Sequence, residues 1–500
     1  MEKLNLNEIQ GIILRGYNHH PHSIYLFLQI EDAAKANKWL TAIVPEVTTS
    51  AHWPKGAAKP DTSLNIAFSF EGLKRLGYQD TTGTFSREFQ QGMSEPDRAR
   101  ALGDTGESAP AKWELGGPAS GSASPASPAS QDKLHVLLML YAASRSSLDQ
   151  YSKGHKERIS TVGGLALLCE QYCYLNPGHK EPFGFKDGLS QPEIEGFRRK
   201  PSDDDADPHA GEAIKAGEFI LGYSNGYGQL PITPTVKPAQ DRQGILPDLP
   251  PDPGSAGTPP TLNAADEVRD FGQNGSYLVY RKLEQDVTGF WKFMSDNAGS
   301  SGGAQKLAAK FMGRWPSGAP LVLAPDQDDP AVAADKNKVN SFNYHTEDPN
   351  GYKCPIGSHI RRSNPRDALD ADPVESVKVV NRHRIIRRGR PYGTSGLDTP
   401  EPGTERKAEP TGIIFIAINA SIKRQFEFVQ QMWINDEKFQ RMYDNKDGIT
   451  GDNDDLTTMT IQREPVRRRI LGVPRFVQVR GGGYFFVPSI TGLKYLASLA

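Results

Sequence analysis

One carboxylate, Asp187, stands among Phe183, Phe185 and Gly188 in the stretch FGFKDGLSQP (183–192). Two readings fit it. It is a plain Lys–Asp–Gly turn, or it is an acid held at the wall of an apolar pocket, where a carboxylate can move protons. The second concentration of reactive types is 351–393, GYKCPIGSHIRRSNPRDALDADPVESVKVVNRHRIIRRGRPYG, with His359 and His383 among a dense group of arginines. Three readings fit that stretch: a basic surface patch, a phosphate or nucleic-acid site, or arginines meeting the propionates of a haem whose iron is held by a histidine. A nucleic-acid site calls for a basic excess with interleaved aromatics, and the chain carries a net charge of −2. Arg387 follows Ile385 and Ile386, and an arginine flanked in this way tends to be partly buried and to need an anion. His359 lies between CPIGS and Ile360, outside a purely charged run.

Other motifs carry less. GSSGG (299–303) has the spacing of a serine-hydrolase elbow but no strand before it. DNKDGITGDNDD (444–455) is acidic yet lacks the ligand order and final glutamate of a calcium loop, so a solvated loop is expected. HHPH (19–22) reads as a surface loop able to collect a metal adventitiously. There are three cysteines. Cys169 and Cys173 are four apart and could share a helix face, leaving Cys354 over. This fits free thiols in a reducing compartment and is not a zinc ligand set.

The elements that would position these groups follow from periodicity. HSIYLFLQI (22–30) reads as a strand and EDAAKANKWLTAI as a helix capped by Asp32. SLNIAFSFEGLKRLG (63–77) reads as strand then short helix, KLHVLLMLYA (133–142) as a strand, and SRSSLDQYSKGHKERI as a helix. That succession is most of a ferredoxin-like unit. A second succession begins with GSYLVYRKL (275–283) and the helix EQDVTGFWKFMSDN. It continues with TGIIFIAINAS (411–421), the helix KRQFEFVQQMWINDEKF, and RFVQVRGGGYFFVPS (475–489), read as two short strands around a glycine turn. The expected class is therefore α+β, two ferredoxin-like units of antiparallel sheet with helices. The expected division is residues 1–230, a Pro-rich linker at 231–270, and 271–500. A low-complexity Pro/Ala/Ser/Gly insertion at about 104–131 is expected on the surface. With 500 residues, more than one unit is needed to bury the chain. No apolar run is long enough to span a bilayer. The N-terminus shows neither a signal-peptide pattern nor a twin-arginine pair, so a cytoplasmic location is the expectation.

Taken together, the motifs resemble those of the dye-decolorising peroxidases. FGFKDG looks like that family's GxxDG signature, with Gly184, Asp187 and Gly188 in place. GSHIRRSNPR is similar to the segment carrying its proximal haem histidine, and HRIIRRGRPYG to the segment carrying its distal arginine. NGSYLVYRKLEQDV, MGRWPSGAPL, GIIFIAINASIKRQFEFVQQMW and VRGGGYFFVPSI also look like family segments, so the resemblance runs from about residue 5 to the C-terminus. GxxDG alone is weak, but followed by HIRxxNPR and RRG in this order it is specific. The Pro/Ser/Ala insertion and the 237–266 loop match poorly, and the length resembles the longer bacterial and fungal-type members.

The resemblance implies a duplicated ferredoxin-like fold of the dimeric α+β barrel type and one haem b per chain. It implies oxidation of bulky aromatic donors, such as anthraquinone dyes and phenols, by hydrogen peroxide; the net charge of −2 and the lack of a spanning apolar run separately lead to the expectation of neither nucleic acid nor membrane as partner. The resemblance places the iron ligand at His359, the acid/base at Asp187 and the charge-stabilising cation at Arg387. Arg361 is then a propionate partner, and Ile413 and Phe415 line the pocket. Tyr392 matches a position used as a surface electron relay, with an ordinary half-buried tyrosine as the alternative. The proximal histidine needs an acceptor for its second nitrogen, and Glu427 is the candidate. Two other functions stay open on the residues alone: a haem-processing protein that releases iron, and a non-catalytic haem carrier or sensor.

Overall fold

The protein is described here from a computed structural model, covering residues 3–53, 58–119, 129–197, 213–249, 267–299, 303–393 and 410–499. Strand β1 (His22–Ile30) is apolar almost throughout because neighbours cover both of its edges and both of its faces. Its even residues Ile24, Leu26 and Leu28 join a core with Trp39 and Leu40 of helix α1 (Ala33–Ile43). Its odd residues Tyr25 and Phe27 point the other way, into a core shared by both halves of the chain. Helix α1 begins where the Asp32 carboxylate accepts from Lys35 N at 3.0 Å, an N-cap that satisfies an otherwise orphaned donor. The unit continues through β2 (Thr62–Phe68), β3 (Val136–Ala142), helix α2 (Arg145–Val162), capped by Ser144, and β4 (Leu165–Tyr174).

The second half repeats the pattern with β5 (Ser276–Gln285), helix α3 (Val287–Asp296) and helix α4 (Gly303–Met312). The short helix α5 (His359–Ser363) follows, then a strand broken into β6 (Ile386–Arg387) and β7 (Arg390–Tyr392), then β8 (Gly412–Asn419). A wide-turn π-helical segment over Lys423–Glu427 and Val429–Ile434 leads on toward β9 (Val477–Val487). All pairings in the main sheet are antiparallel, and its order is β4-β1-β3-β2-β9-β5-β8-β6, with β7 also on β8. Each half therefore has the order 4-1-3-2 of a ferredoxin-like unit. The two meet where Phe68 pairs with Phe486, and at the far ends β4 packs alongside β7. Phe27 meets Tyr280 edge to face at 5.1 Å in the interior they share.

Four expectations change. The glycines of RGGGYFF make no turn, since β9 is one strand of 11 residues. Gly481 and Gly482 instead let another segment lie against the strand, for a Cβ on Gly482 would sit 2.5 Å from Met93 Sδ and 3.3 Å from the Trp113 ring. The same packing corrects the 104–131 insertion. Residues 120–128 lie outside the described residues, but Asp104, Ser108, Trp113, Leu115, Ala129 and Ser130 are buried. Cys169 and Cys173 lie on β4 and not on a helix, and both are free thiols. In HHPH, His20 is fully buried with Nε2 2.6 Å from Pro60 O. Residues 250–266 of the Pro-rich loop and 300–302 of GSSGG lie outside the described residues.

Candidate functional site

In the first half-sheet, helices α1 and α2 cover one face. In the second half-sheet, the corresponding face is the floor of a cavity. Strand parity determines which side chains form it: even residues Ile414, Ile416 and Ile418 fill the barrel interior, so odd residues face the cavity. Ile413 pairs with Leu283 and Phe415 with Arg281, while Val477 and Val479 of β9 lie opposite Gln285 and Leu283. All of these line the cavity, as do Phe426, Val429, Ile434 and Ile449. About 270 Å³ of it is open to the centres of water molecules.

Asp187 enters from the loop between β4 and the second half. The loop is fixed from beneath by Glu181, whose carboxylate accepts from Phe183 N at 3.0 Å, Phe185 N at 2.8 Å and Gln285 Nε2 at 2.8 Å. Phe183 and Phe185 border the cavity and pack into an aromatic cluster, with Phe183 stacked on Phe290 at 4.3 Å. Gly184 and Gly188 take φ of +95° and +77°, a region open to glycine at little cost. Arg387 arrives on β6, its own N–H donating to Gln191 Oε1 at 3.0 Å. Its Nη1 donates to Asp187 Oδ1 at 2.9 Å, and the two side chains remain 34% and 38% exposed into the cavities they border. Burial pushes the Asp187 pKa up, but the Arg387 charge and the Gly188 N–H outweigh it, leaving the acid below its ordinary value. The following arginines have other work: Arg388 donates to the Ile12 and Ile13 carbonyls and Arg390 to those of His20 and Tyr17.

His359 opens helix α5 on another wall of the same cavity. Its Nδ1 is 3.0 Å from Asp447 Oδ2, and Asp447 is fully buried while the imidazole is 24% exposed. Asp447 Oδ1 in turn accepts from Ile449 N at 2.9 Å and Thr450 N at 2.7 Å, which fixes the carboxylate. Burial lowers the His359 pKa, the Asp447 charge and hydrogen bond raise it, and the net effect is upward. With Nδ1 engaged, Nε2 remains for the cavity, and no hydrogen bond to it is found among the described residues. Asp187 and His359 are close enough for each charge to stabilise the other.

The structure thus brings Asp187, Arg387, His359, Ile413 and Phe415 to one cavity, and it redirects four other expectations. Arg361 does not line the cavity: its Nη1 donates to the Asp348 and Cys354 carbonyls at 3.0 and 2.9 Å, and the guanidinium lies over Tyr344. Glu427 is not the partner of His359; it takes Arg98 and the Tyr484 hydroxyl. The partner is Asp447, so the acidic 444–455 stretch is not simply a solvated loop. Tyr392 is 5% exposed, too buried for a surface relay. His383 also lines the cavity, but its ring stacks on Phe428 at 3.9 Å and its Nδ1 donates to Arg424 O at 2.5 Å.

Sequence reasoning missed Asp447 because it meets His359 across 88 residues with no shared periodicity. It also missed Glu181, whose pKa burial pushes up to about 7. A third omission is the buried ion pair of Asp104 with Arg281, 2% and 5% exposed, at one end of the cavity. A carboxylate shortly before an apolar loop is the one signal that could have flagged Glu181.

An apolar cavity with a carboxylate-held imidazole on one wall and a carboxylate–guanidinium pair on another fits a porphyrin with one axial histidine. Arg366 and Arg384 supply cations at its margin. No group of three or more metal-ligating side chains is found among the described residues. Residues 8–160 match the model of the DyP dimeric alpha+beta barrel domain. The dye-decolorizing peroxidase msp1 of Mycetinis scorodonius is 29% identical over 99% of this chain and 88% of its own length. An ancestral D-type dye decolorizing peroxidase superposes with a TM-score of 0.76 at 29% identity, covering 100% of both chains. A dye-decolorizing peroxidase in complex with 2,6-dimethoxyphenol does so with 0.74 at 26% identity, covering 99% of this chain and 100% of the other. Fold and cavity define the class, an α+β barrel protein built around a haem-type pocket. Over nearly its whole length the chain is similar to dye-decolorizing peroxidases.

Proposed function

We propose that this chain is a haem peroxidase that uses hydrogen peroxide to oxidise aromatic donors. The observation that carries the reading is the Asp187–Arg387 pair sharing one cavity with the Asp447-held His359. Haem, when bound, supplies the iron that activates peroxide and accepts electrons from the donor. His359 Nε2 would hold the iron, and Asp447, 3.0 Å from Nδ1, keeps the proton there and so fixes the tautomer. Arg366 and Arg384 are the candidates to meet the propionates. Haem b, one per chain, is the form favoured: none of the three cysteines stands in a Cys-x-x-Cys-His sequence for covalent attachment, and one cavity holds the ligand set.

Asp187 takes the proton from the near oxygen of peroxide and returns it to the far oxygen as that oxygen leaves. Arg387 stabilises the negative charge that develops there. Because Asp187 is held below its ordinary pKa, the base form persists into mildly acidic solution, and turnover is expected to extend there. A carrier or sensor would have no need of such a pair.

The test is turnover of 2,6-dimethoxyphenol with peroxide in Asp187→Asn and Arg387→Leu. Loss of about 10²–10⁴-fold with normal haem absorbance is expected, the usual scale for removing a positioned acid/base. Unchanged turnover in both variants would defeat the reading.

A further inference from the structure

A second cavity, of about 430 Å³, lies on the outer side of the acid–guanidinium pair. It shares Glu181, Lys186, Asp187, Leu189, Arg387 and Gly389 with the first, so the pair borders both. Its charged lining is unbalanced. Of its two acids, Asp187 is committed to Arg387, and buried Glu181 to two backbone N–H groups and Gln285. Lys180, Lys186 and Lys336 also line it, and their amines make no ion pair or hydrogen bond among the described residues. Asp335, beside Lys336 in the chain, faces Lys338 instead, at 3.6 Å. This local excess sits on a chain whose net charge is −2.

The placement of the lysines is built in. Lys180 and Lys186 are bridged antiparallel partners, directly opposite one another. The backbone of Lys180 is clamped by the Asn176 side chain, which accepts from Lys180 N at 3.0 Å and donates to Lys180 O at 2.8 Å. Asp187 N, next to Lys186, donates to His179 O at 2.8 Å. Like charges held directly opposite across a strand pair destabilise it, and an anion between them relieves that repulsion.

We propose that this outer cavity binds an anionic aromatic donor, its carboxylate or sulfonate received by Lys180 and Lys186 with Lys336 at the rim. For the oxidation of the bound donor, the proposal rests on the peroxidase reading. Two phenolic donors each lose one electron and one proton to become phenoxyl radicals, while one peroxide takes up two of each and leaves as two waters. Cations around a concave mouth concentrate an anionic donor and make its capture sensitive to salt.

Binding and turnover are measured separately, so that failure of one reading is distinguishable from failure of the other. Calorimetric titration uses 4-hydroxybenzenesulfonate, with neutral 4-methoxyphenol as control, at 20 and 200 mM salt. Wild type is compared with the triple variant Lys180→Gln/Lys186→Gln/Lys336→Gln and with Lys180→Gln/Lys186→Gln. The expected result is sulfonate binding that weakens about tenfold in the triple variant and also with salt. KM for the sulfonate should rise in parallel, with the neutral phenol changed less than about twofold. Equal sulfonate binding in wild type and variants, or the same loss for both phenols, would overturn the proposal. Lysine-dependent binding with neither phenol oxidised would support the site and count against the peroxidase reading.

Discussion

Asp447→Asn changes one atom in contact with His359, and the consequence can be worked through atom by atom. In the native protein, Asp447 Oδ2 faces His359 Nδ1 at 3.0 Å, while Oδ1 accepts from Ile449 N at 2.9 Å and Thr450 N at 2.7 Å. Asparagine keeps the two backbone bonds only with its oxygen at the Oδ1 position, which turns its NH₂ toward Nδ1. The opposite orientation sets the NH₂ against two N–H donors and is worse. His359 Nδ1 must then accept, so the imidazole proton moves to Nε2 and removes the lone pair offered to the cavity. Loss of the carboxylate also removes the largest influence that raises the His359 pKa against burial, so the pKa falls. Outer partners of a metal-bound histidine are worth about 10–100-fold in affinity, or about 1.4–2.7 kcal/mol. Haem titration of the apoprotein, followed by absorbance, measures the affinity, and nitrogen-15 NMR of the apoprotein reports the His359 tautomer. Wild-type affinity together with an unchanged tautomer would refute the argument that Asp447 sets this ligand.

Arg281→Met strips the cation from Asp104 in a site where both side chains are nearly inaccessible. Denaturant unfolding should show a loss of about 3–5 kcal/mol, the range for leaving one partner of a buried pair uncompensated. Glu181 has its pKa raised from 4.5 to about 7, so between those values the native state holds a proton that the unfolded chain has released. Its contribution therefore falls as pH rises across that window and levels off above it. Glu181→Gln should flatten that part of the stability–pH curve in unfolding measured at pH 5 and pH 8, and an unchanged slope would refute the assignment. Gly116→Ala puts a Cβ 1.8 Å from Gly482 O at a φ of +74°, so a loss of at least about 2 kcal/mol is expected in thermal unfolding. Wild-type stability would mean that segment 104–116 does not lie against β9.

Much of the architecture was legible before any tertiary contact was known. The strand at 22–30 has the bounds its residue pattern predicts, and Asp32 is the cap its position predicts, because a buried strand and an N-cap are both written in neighbouring residues. The repeat of a strand–helix succession was legible for the same reason, and it becomes the 4-1-3-2 order of each half. RGGGYFF misled because a run of glycines signals a turn equally as well as a strand that another segment approaches closely. Only the position of Met93 and Trp113 distinguishes the two.

By itself, the sequence determined many of the strands and helices, β4 and the unbroken β9 excepted, that the pattern occurs twice, and that Asp187, His359 and Arg387 belong to one recognisable set of motifs. Those are properties of local spacing and residue type. Tertiary structure decided which charges reach the cavity. Arg387 does and Arg361 does not, Asp447 replaces Glu427 beside the imidazole, and Tyr392 is withdrawn from the surface. A guanidinium or carboxylate takes whichever partner the fold delivers within about 3 Å, and that partner lies tens to hundreds of residues away along the chain.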